Sequence, residues 1–334
     1  MSRISYYHIL SSGEMAQLAG QEEAVRAIHK GGYVWFDFVS ASRDELSALA
    51  DPLGLHPLSI EDCTDQNQVP KIEDFENYSF IIFNALNYND LGLITDEVDI
   101  FTGKNFIITV SGYAENSSMP LANLEAHARR NLQSIKAGPA HFMHMVLDNI
   151  VDHMAPSIEA IEDEIDISEE AILNTHADFE ASKLTYLRRN LLNMRKNLFH
   201  EREILLKIIR NDCEFIPEKI TMHFRDIYDH ISNFFEMTES NRDNVTSLME
   251  LYASMLNNQM ARDSYQTNAS VRRLTLITTI FMPLTLLAGI FGMSEWTMMT
   301  GQEKWKTSYL LFGGILILIG IINYLLLKWL ERKD

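Results

Sequence analysis

Two uncharged apolar runs constrain this chain more than any other feature. Residues 274–291 read LTLITTIFMPLTLLAGIF, and residues 307–327 read TSYLLFGGILILIGIINYLLL. As helices they would extend about 27 and about 32 Å, close to the ~30 Å hydrocarbon core of a bilayer. Charged residues flank both, so a pair of buried core helices fits them poorly and two transmembrane helices fit them well. An even number of spans returns the chain to its starting side. Arg262, Arg272 and Arg273 precede the first run, and Lys328, Arg332 and Lys333 follow the second. The connecting loop 292–306 sets Lys304 and Lys306 against Glu295 and Glu303. The basic excess predicts that both termini lie in the cytoplasm of a cell-membrane (inner-membrane) protein. Trp296, Trp305 and Trp329 suit the aromatic belts of the two interfaces.

Charge narrows the partners. The net charge is −18, yet residues 271–334 hold seven Lys/Arg against four Asp/Glu, so the acidity belongs to the first 270 residues. Such a surface repels phosphate, which argues against nucleic acid. The two cysteines, Cys63 and Cys213, form no CxxC pair. That excludes a disulfide framework or zinc-finger pattern and suits a reducing compartment. The first residues, MSRISYYHILSSGE, lack the apolar run of a signal peptide. No Gly-rich phosphate loop or nucleophile–base pair stands out, so an enzyme is not expected.

Glycine and proline divide the rest. No glycine occurs between Gly138 and Gly289, and Pro217 is the one proline between Ser157 and Met282. This predicts long helices. Residues 218–291 as one helix would run roughly 110 Å, a stalk of 218–273 continuing into a span of 274–291. Ahead of it, residues 159–180 carry nine acids and no Lys or Arg, while 183–210 carry eight basic residues. The expectation for 141–217 is an antiparallel hairpin with paired charged faces, turning near 174–177. Its acidic arm would also concentrate divalent cations near a pore mouth. Residues 1–140 read as an α/β domain. Strands are expected at 5–10, 33–39, 78–88, 97–101 and 105–110, and helices near 14–30, 42–50 and 119–137. Ser42-Arg43-Asp44-Glu45 matches a capping box. His141 and His144 share a helix face with Asp148; packed or surface helix residues account for them, with a metal site as the alternative.

Within the first span, Thr278, Met282, Thr285, Gly289 and Gly292 recur at spacings of four and three, one stripe of a helix. Leu274 or Thr275, then Val271 and Asn268, extend it backwards. Small residues at this period also make helix–helix seams. Two spans cannot enclose a pore alone, whereas an oligomer of such helices can.

Five segments, in order, resemble the CorA-type divalent cation transporter family. TIFMPLTLLAGIFGMS (279–294) is similar to its PLTxxxGxxGMN ending of the first span. GLHPLSIEDC (54–63) with VPKIEDFENY (69–78), FTGKNFIITV (101–110), VLDNIVDHMAPSIEAIEDEID (146–166) and NASVRRLT (268–275) resemble its other landmarks. The resemblance implies a homopentameric funnel in membrane lipid: an α/β cytoplasmic domain, a long stalk helix lining the pore, a second outer span (307–327) and a short tail (328–334). It implies a cytoplasmic-end asparagine ring at Asn268, a hydrophobic constriction at Leu274 and Met282, polar rings at Thr285 and Gly289, and a selectivity motif at Gly292, Met293 and Ser294. Ser294 stands where the family has Asn, and Met298-Met299-Thr300-Gly301 replaces the family's MPEL. The family's interface metal site falls on Asp62 and a stalk acid. Local wording points to Glu250, and counting back from Asn268 points to Asn257. The function implied is passage of hydrated Mg2+, with Co2+ or Ni2+ alongside, and divalent cation also acting as regulator. The alternatives are Zn2+ transport with proton coupling, as in the ZntB branch, and a non-conducting membrane scaffold.

Overall fold

A computed structural model describes residues 3–65, 68–89, 92–112, 121–175, 179–291 and 305–330. The chain divides into two compact units, Met1–Tyr252 and Ala253–Asp334.

The first unit is organised by strand β3 (Tyr33–Val39, YVWFDFV), which is buried along its whole length. Apolar side chains on both faces of a strand require cover on both sides of its sheet. Seven strands supply that sheet in the order β2-β1-β3-β7-β6-β5-β4. The others are β1 (Arg3–Ile9), β2 (Met15–Gln17), β4 (Lys71–Asp74), β5 (Tyr78–Asn89), β6 (Gly92–Gly103) and β7 (Phe106–Ser111). β3 and β7 pair in parallel, with Val34 opposite Phe106, and the remaining pairs are antiparallel.

Alternation along β3 assigns the two faces. Val34, Phe36 and Phe38 enter a core closed by α1 (Gln21–Ala27), α2 (Arg43–Ser47), α3 (Ala50–Leu53) and α4 (Pro57–Thr64) through Ala24, Leu46, Leu49 and Ile60. Tyr33 and Trp35 point the other way. Trp35 lies 4.7 Å centroid to centroid from Phe142 of α7 (Pro139–Asp152), and its indole N–H donates to Thr109 at 2.9 Å. The short helices α5 (Leu124–Arg130) and α6 (Leu132–Ile135) precede α7. α8 (Ala155–Thr175) and α9 (Ala181–Ile209) pack on the α7 side, against β5 and on β4 through β6.

Several expectations shift. Residues 33–39 form a strand as expected. The helix expected over 14–30 does not begin until Gln21, because Met15–Gln17 pairs with β1 as an edge strand. Strand β6 starts at Gly92 rather than 97, because it pairs with β5 down to Asn89. β4 was not anticipated. Ser42 does form the capping box with Glu45. The charged arms of the 141–217 segment do not simply face each other. Lys183 reaches Glu164 of α8 at 3.6 Å, but Lys207 pairs with Asp74 at 3.0 Å and Arg195 with Glu239. A helix 29 residues long passes several neighbours, and its cations pair with whichever acid each turn meets.

After a 3₁₀ turn at Glu218–Ile220, α10 runs continuously from Thr221 to Phe291, 71 residues. The unit boundary therefore falls within a helix, at 252/253. In the second unit, the end of α10 and α11 (Trp305–Leu330) are each long and apolar enough to cross a membrane.

A buried acid carries a testable cost. Glu201 on α9 is fully buried; Oε1 accepts the Asn84 N–H at 3.3 Å, and Oε2 has no hydrogen-bond partner. Burial pushes its carboxyl well above the ordinary value, against the opposing effect of the Asn84 bond. A carboxyl raised on folding contributes stability that is complete below its unfolded value of about 4.3 and is lost as pH climbs through the folded value. Glu201→Gln keeps the carbonyl acceptor and removes the ionisation. Between about pH 5 and about pH 8 the thermal midpoint of the parent should fall relative to that of the variant. Parallel pH profiles would show that Glu201 folds as a carboxylate.

Candidate functional site

The second unit holds the stripe. Asn268, Val271, Leu274, Thr275, Thr278, Met282, Thr285 and Gly289 are all exposed on α10 in the single chain. Leu274 and Met282 are 65% and 71% exposed, as are Ile277, Phe281, Leu286 and Ile290 on other faces, so the stripe is one part of a helix surface left open in the single chain. Along it runs an open groove of about 1060 Å³ lined by Thr278, Thr279, Met282, Pro283, Thr285, Leu286, Gly289 and Ile290.

α11 packs elsewhere on the helix. A Cβ at Gly320 would meet Leu284 Cδ1 at 3.6 Å, which marks the α10 face against which α11 lies. Leu276, Ile280, Pro283, Leu284 and Leu287 are the partly covered positions of this span. At about 100° per residue, the stripe centre lies roughly 130° around the helix from Leu284. The helix thus presents one face to α11 and keeps a different one, with the hydroxyls, uncovered.

The threonines are oriented by their own helix. Thr275, Thr278 and Thr285 each donate their hydroxyl proton to a carbonyl one turn back: Val271 at 2.9 Å, Leu274 at 2.9 Å and Phe281 at 2.8 Å. Thr279 does the same to Thr275 at 2.8 Å. A hydroxyl whose proton is committed offers only its lone pairs outward. The stripe is therefore a ladder of acceptors, suited to water molecules that turn their own oxygens toward a cation. It contains no carboxylate. Gly292, Met293 and Ser294 lie outside the described residues.

Asp62 and Glu250 belong to the first unit. The HPLSIED segment positions Asp62 through its own hydrogen bonds. His56 caps α4, its Nδ1 accepting the Leu58 N–H at 3.2 Å, and Pro57 occupies the first turn. The Tyr78 hydroxyl accepts the His56 N–H at 2.9 Å and lies 2.6 Å from Ser59 Oγ, while Phe75 stacks between His56 and Tyr78. This fixes α4 so that Asp62 stands on its last turn, partly exposed, where Lys71 Nζ reaches Oδ2 at 2.7 Å. Lys71 also lies 3.2 Å from Glu73. Burial works to lower the lysine pKa, but the bonds to Asp62 and Glu73 outweigh it and hold the ammonium form. Behind Asp62, Asp99 is fully buried, and burial together with the Glu97 charge drives its carboxyl well above the usual range. Glu250 is exposed on α10, and Asn257 lies in the second unit. Sequence reading named Asp62 as a ligand and missed its cation; the lysine of VPKIED, in the segment already paired with HPLSIED, was the available signal. Among the described residues, no three His, Cys, Asp or Glu side chains converge to hold a metal ion.

An α/β domain, a long helix and a terminal pair of apolar helices with an uncharged acceptor stripe define a class of two-span membrane transport proteins. The family described as CorA-like Mg2+ transporter protein matches residues 30–332, and the chain belongs to that family. It is 30% identical over 302 residues to the cobalt/magnesium transport protein CorA of Thermotoga maritima, covering 89% of this chain and 83% of that one. The complete structure of the CorA magnesium transporter from Methanocaldococcus jannaschii superposes with a TM-score of 0.70 at 19% identity, over 97% of each chain. The zinc transport protein ZntB of Enterobacter is more distant, 23% identical over 188 residues that span 56% of this chain and 54% of that one.

The Asp62–Lys71 pair leads to an expected outcome. Lys71→Met should free Asp62 for a divalent cation. Mg2+ should then protect the protein from limited proteolysis at about tenfold lower concentration, the effect of about 1.4 kcal/mol of relieved competition. Unchanged protection would place Asp62 outside any divalent-sensing contact.

Proposed function

We propose that the chain is the subunit of a homopentameric divalent cation channel of the cell (inner) membrane, with α10 lining the pore and both termini cytoplasmic. The observation that carries this reading is the uncovered stripe of α10, with its threonine oxygens facing outward and its back toward α11. Five copies would bring five stripes around one axis. Mg2+ surrenders its waters reluctantly, so rings of hydroxyl oxygens at Thr278 and Thr285 and an amide ring at Asn268 suit its passage as a hydrate. Rings of Leu274 and Met282 would gate by excluding water. Membrane potential would drive inward flow at about 2.3 kcal/mol per charge per 100 mV. Family membership and the CorA relative support Mg2+ or Co2+, and no step of this reading requires enzymatic chemistry.

Ser294 in place of the family's Asn, together with the ZntB relative, supports Zn2+ transport as the second reading. The deciding experiment reconstitutes the protein in liposomes and measures uptake of Mg2+, Zn2+, Co2+ and Ni2+ separately, after native mass spectrometry of the assembly. A pentamer with Mg2+ uptake is expected. A monomer or dimer as the sole species ends the channel reading, and Zn2+ uptake that follows a proton gradient favours the second.

Two variants test the pore assignment in the same assay. Met282→Asp puts charge where water exclusion closes the channel, and should raise resting Mg2+ leak at least tenfold. An unchanged leak would mean that Met282 does not face the conduction path. Ser294→Asn introduces the longer amide that the family carries in this motif, and should increase Mg2+ uptake and its block by cobalt hexammine. Each added contact of this kind contributes about 0.5–1.5 kcal/mol, multiplied over the ring. If Ser294→Asn is silent while Ser294→Ala abolishes uptake, the serine hydroxyl is itself a required ligand.

A further inference from the structure

Two helices of the first unit bring together a set of side chains that neither the stripe nor Asp62 uses. On α7, His141, His144 and Asp148 are half-buried along one face, at successive intervals of three and four residues. On the first turns of α10, His223, Asp226 and His230 repeat those intervals and are exposed. The two rows meet. The imidazoles of His144 and His223 lie 5.4 Å apart, centroid to centroid, with their planes at 67°. The ring of Phe224 stands edge-on to His144 at 5.3 Å and walls the inner side.

Two imidazoles on one tetrahedral zinc, each nitrogen about 2.1 Å from the metal, have centroids about 5.2 Å apart. The observed edge-to-face spacing is one that a shared cation could span, and His144 is also hydrogen-bonded to the His223 backbone. A third candidate ligand is the Asp148 carboxylate, which acts electrostatically on His144 and follows it by four residues, the interval at which one helix chelates a metal from adjacent turns. Asp226 and His230 line the same cleft from α10, and Asp152 adds a further acid on α7.

We propose that the cleft between α7 and the start of α10 binds a nitrogen-preferring divalent transition cation, Zn2+ or its neighbours Ni2+ and Co2+, through His144, His223 and Asp148.

Asp148 completes the set by turning toward the two rings, since the three groups do not yet converge in the single chain. Imidazole nitrogen discriminates against Mg2+, which prefers oxygen and water. The cleft would therefore read a transition cation while ignoring the far more abundant magnesium.

The test uses the full-length, metal-stripped protein in detergent, titrated calorimetrically with Zn2+ in a millimolar Mg2+ background that occupies sites built from oxygen. Transport is not the readout, so its failure and the failure of the channel reading are separable. One Zn2+ per chain is expected at this cleft. It should be lost in His144→Ala/His223→Ala, weakened about tenfold in Asp148→Asn, and unchanged in His200→Ala. His223 is exposed, so His223→Gln preserves the fold and alone should weaken binding at least tenfold. Undiminished Zn2+ stoichiometry and affinity in both the double variant and His223→Gln would overturn the proposal, as would a parent protein that binds no Zn2+.

Discussion

A membrane-spanning helix must satisfy its polar groups without help from lipid, and α10 does so by turning its threonine protons back onto its own carbonyls. That local exchange gives the stripe its chemical sign. With protons committed, the outward-facing atoms are acceptors, and acceptors complement the hydrogens of a hydrated cation. The arrangement needs no carboxylate, which would bind a divalent ion tightly enough to retain it. It does need a second helix on a different face, and Gly320 against Leu284 supplies that contact without covering the hydroxyls.

The first unit follows a different constraint. Strand β3 is apolar on both faces, so helices must cover both sides of its sheet. The two layers then acquire separate tasks. The layer of α1–α4 carries Asp62 on a helix fixed by His56, Ser59 and Tyr78. The opposite layer, α7–α9, carries the histidine cleft where α7 meets α10. Lys71 offsets the charge of Asp62, and burial favours the protonated form of Asp99 behind it.

Features with a strong local signal were legible in the sequence. The apolar runs, the capping box at Ser42 and the breaker-free stretch behind α10 each depend on residues close together in the chain. Strand 33–39 was legible because seven aromatic and β-branched-rich residues are bounded by Gly31-Gly32 and Ser40. Features set by pairing were not. Met15–Gln17 is a strand because β1 lies beside it, and its short sequence, Met-Ala-Gln, reads equally as the start of a helix. The first residues of β6, GLITD, open on a glycine and end on an acid, and form a strand because β5 extends that far. The Lys71 partner of Asp62 and the His223 partner of His144 depend on tertiary contact, across 9 and 79 positions of sequence. The selectivity motif expected at 292–294 rests on resemblance alone and lies outside the described residues.

Pro283 has a consequence for how α10 is rotated about its own axis. Proline has no N–H, so the Thr279 carbonyl, one turn earlier, lacks its α-helical partner. Thr279 and Pro283 both border the open groove. Were that border pressed against acyl chains, an orphan carbonyl there would cost several kcal/mol in each copy of the chain. Against water the cost largely vanishes. A single ring closure in the backbone thus limits how α10 can be rotated: the Thr279 carbonyl has to meet a donor from a neighbouring helix or from water, because acyl chains offer none.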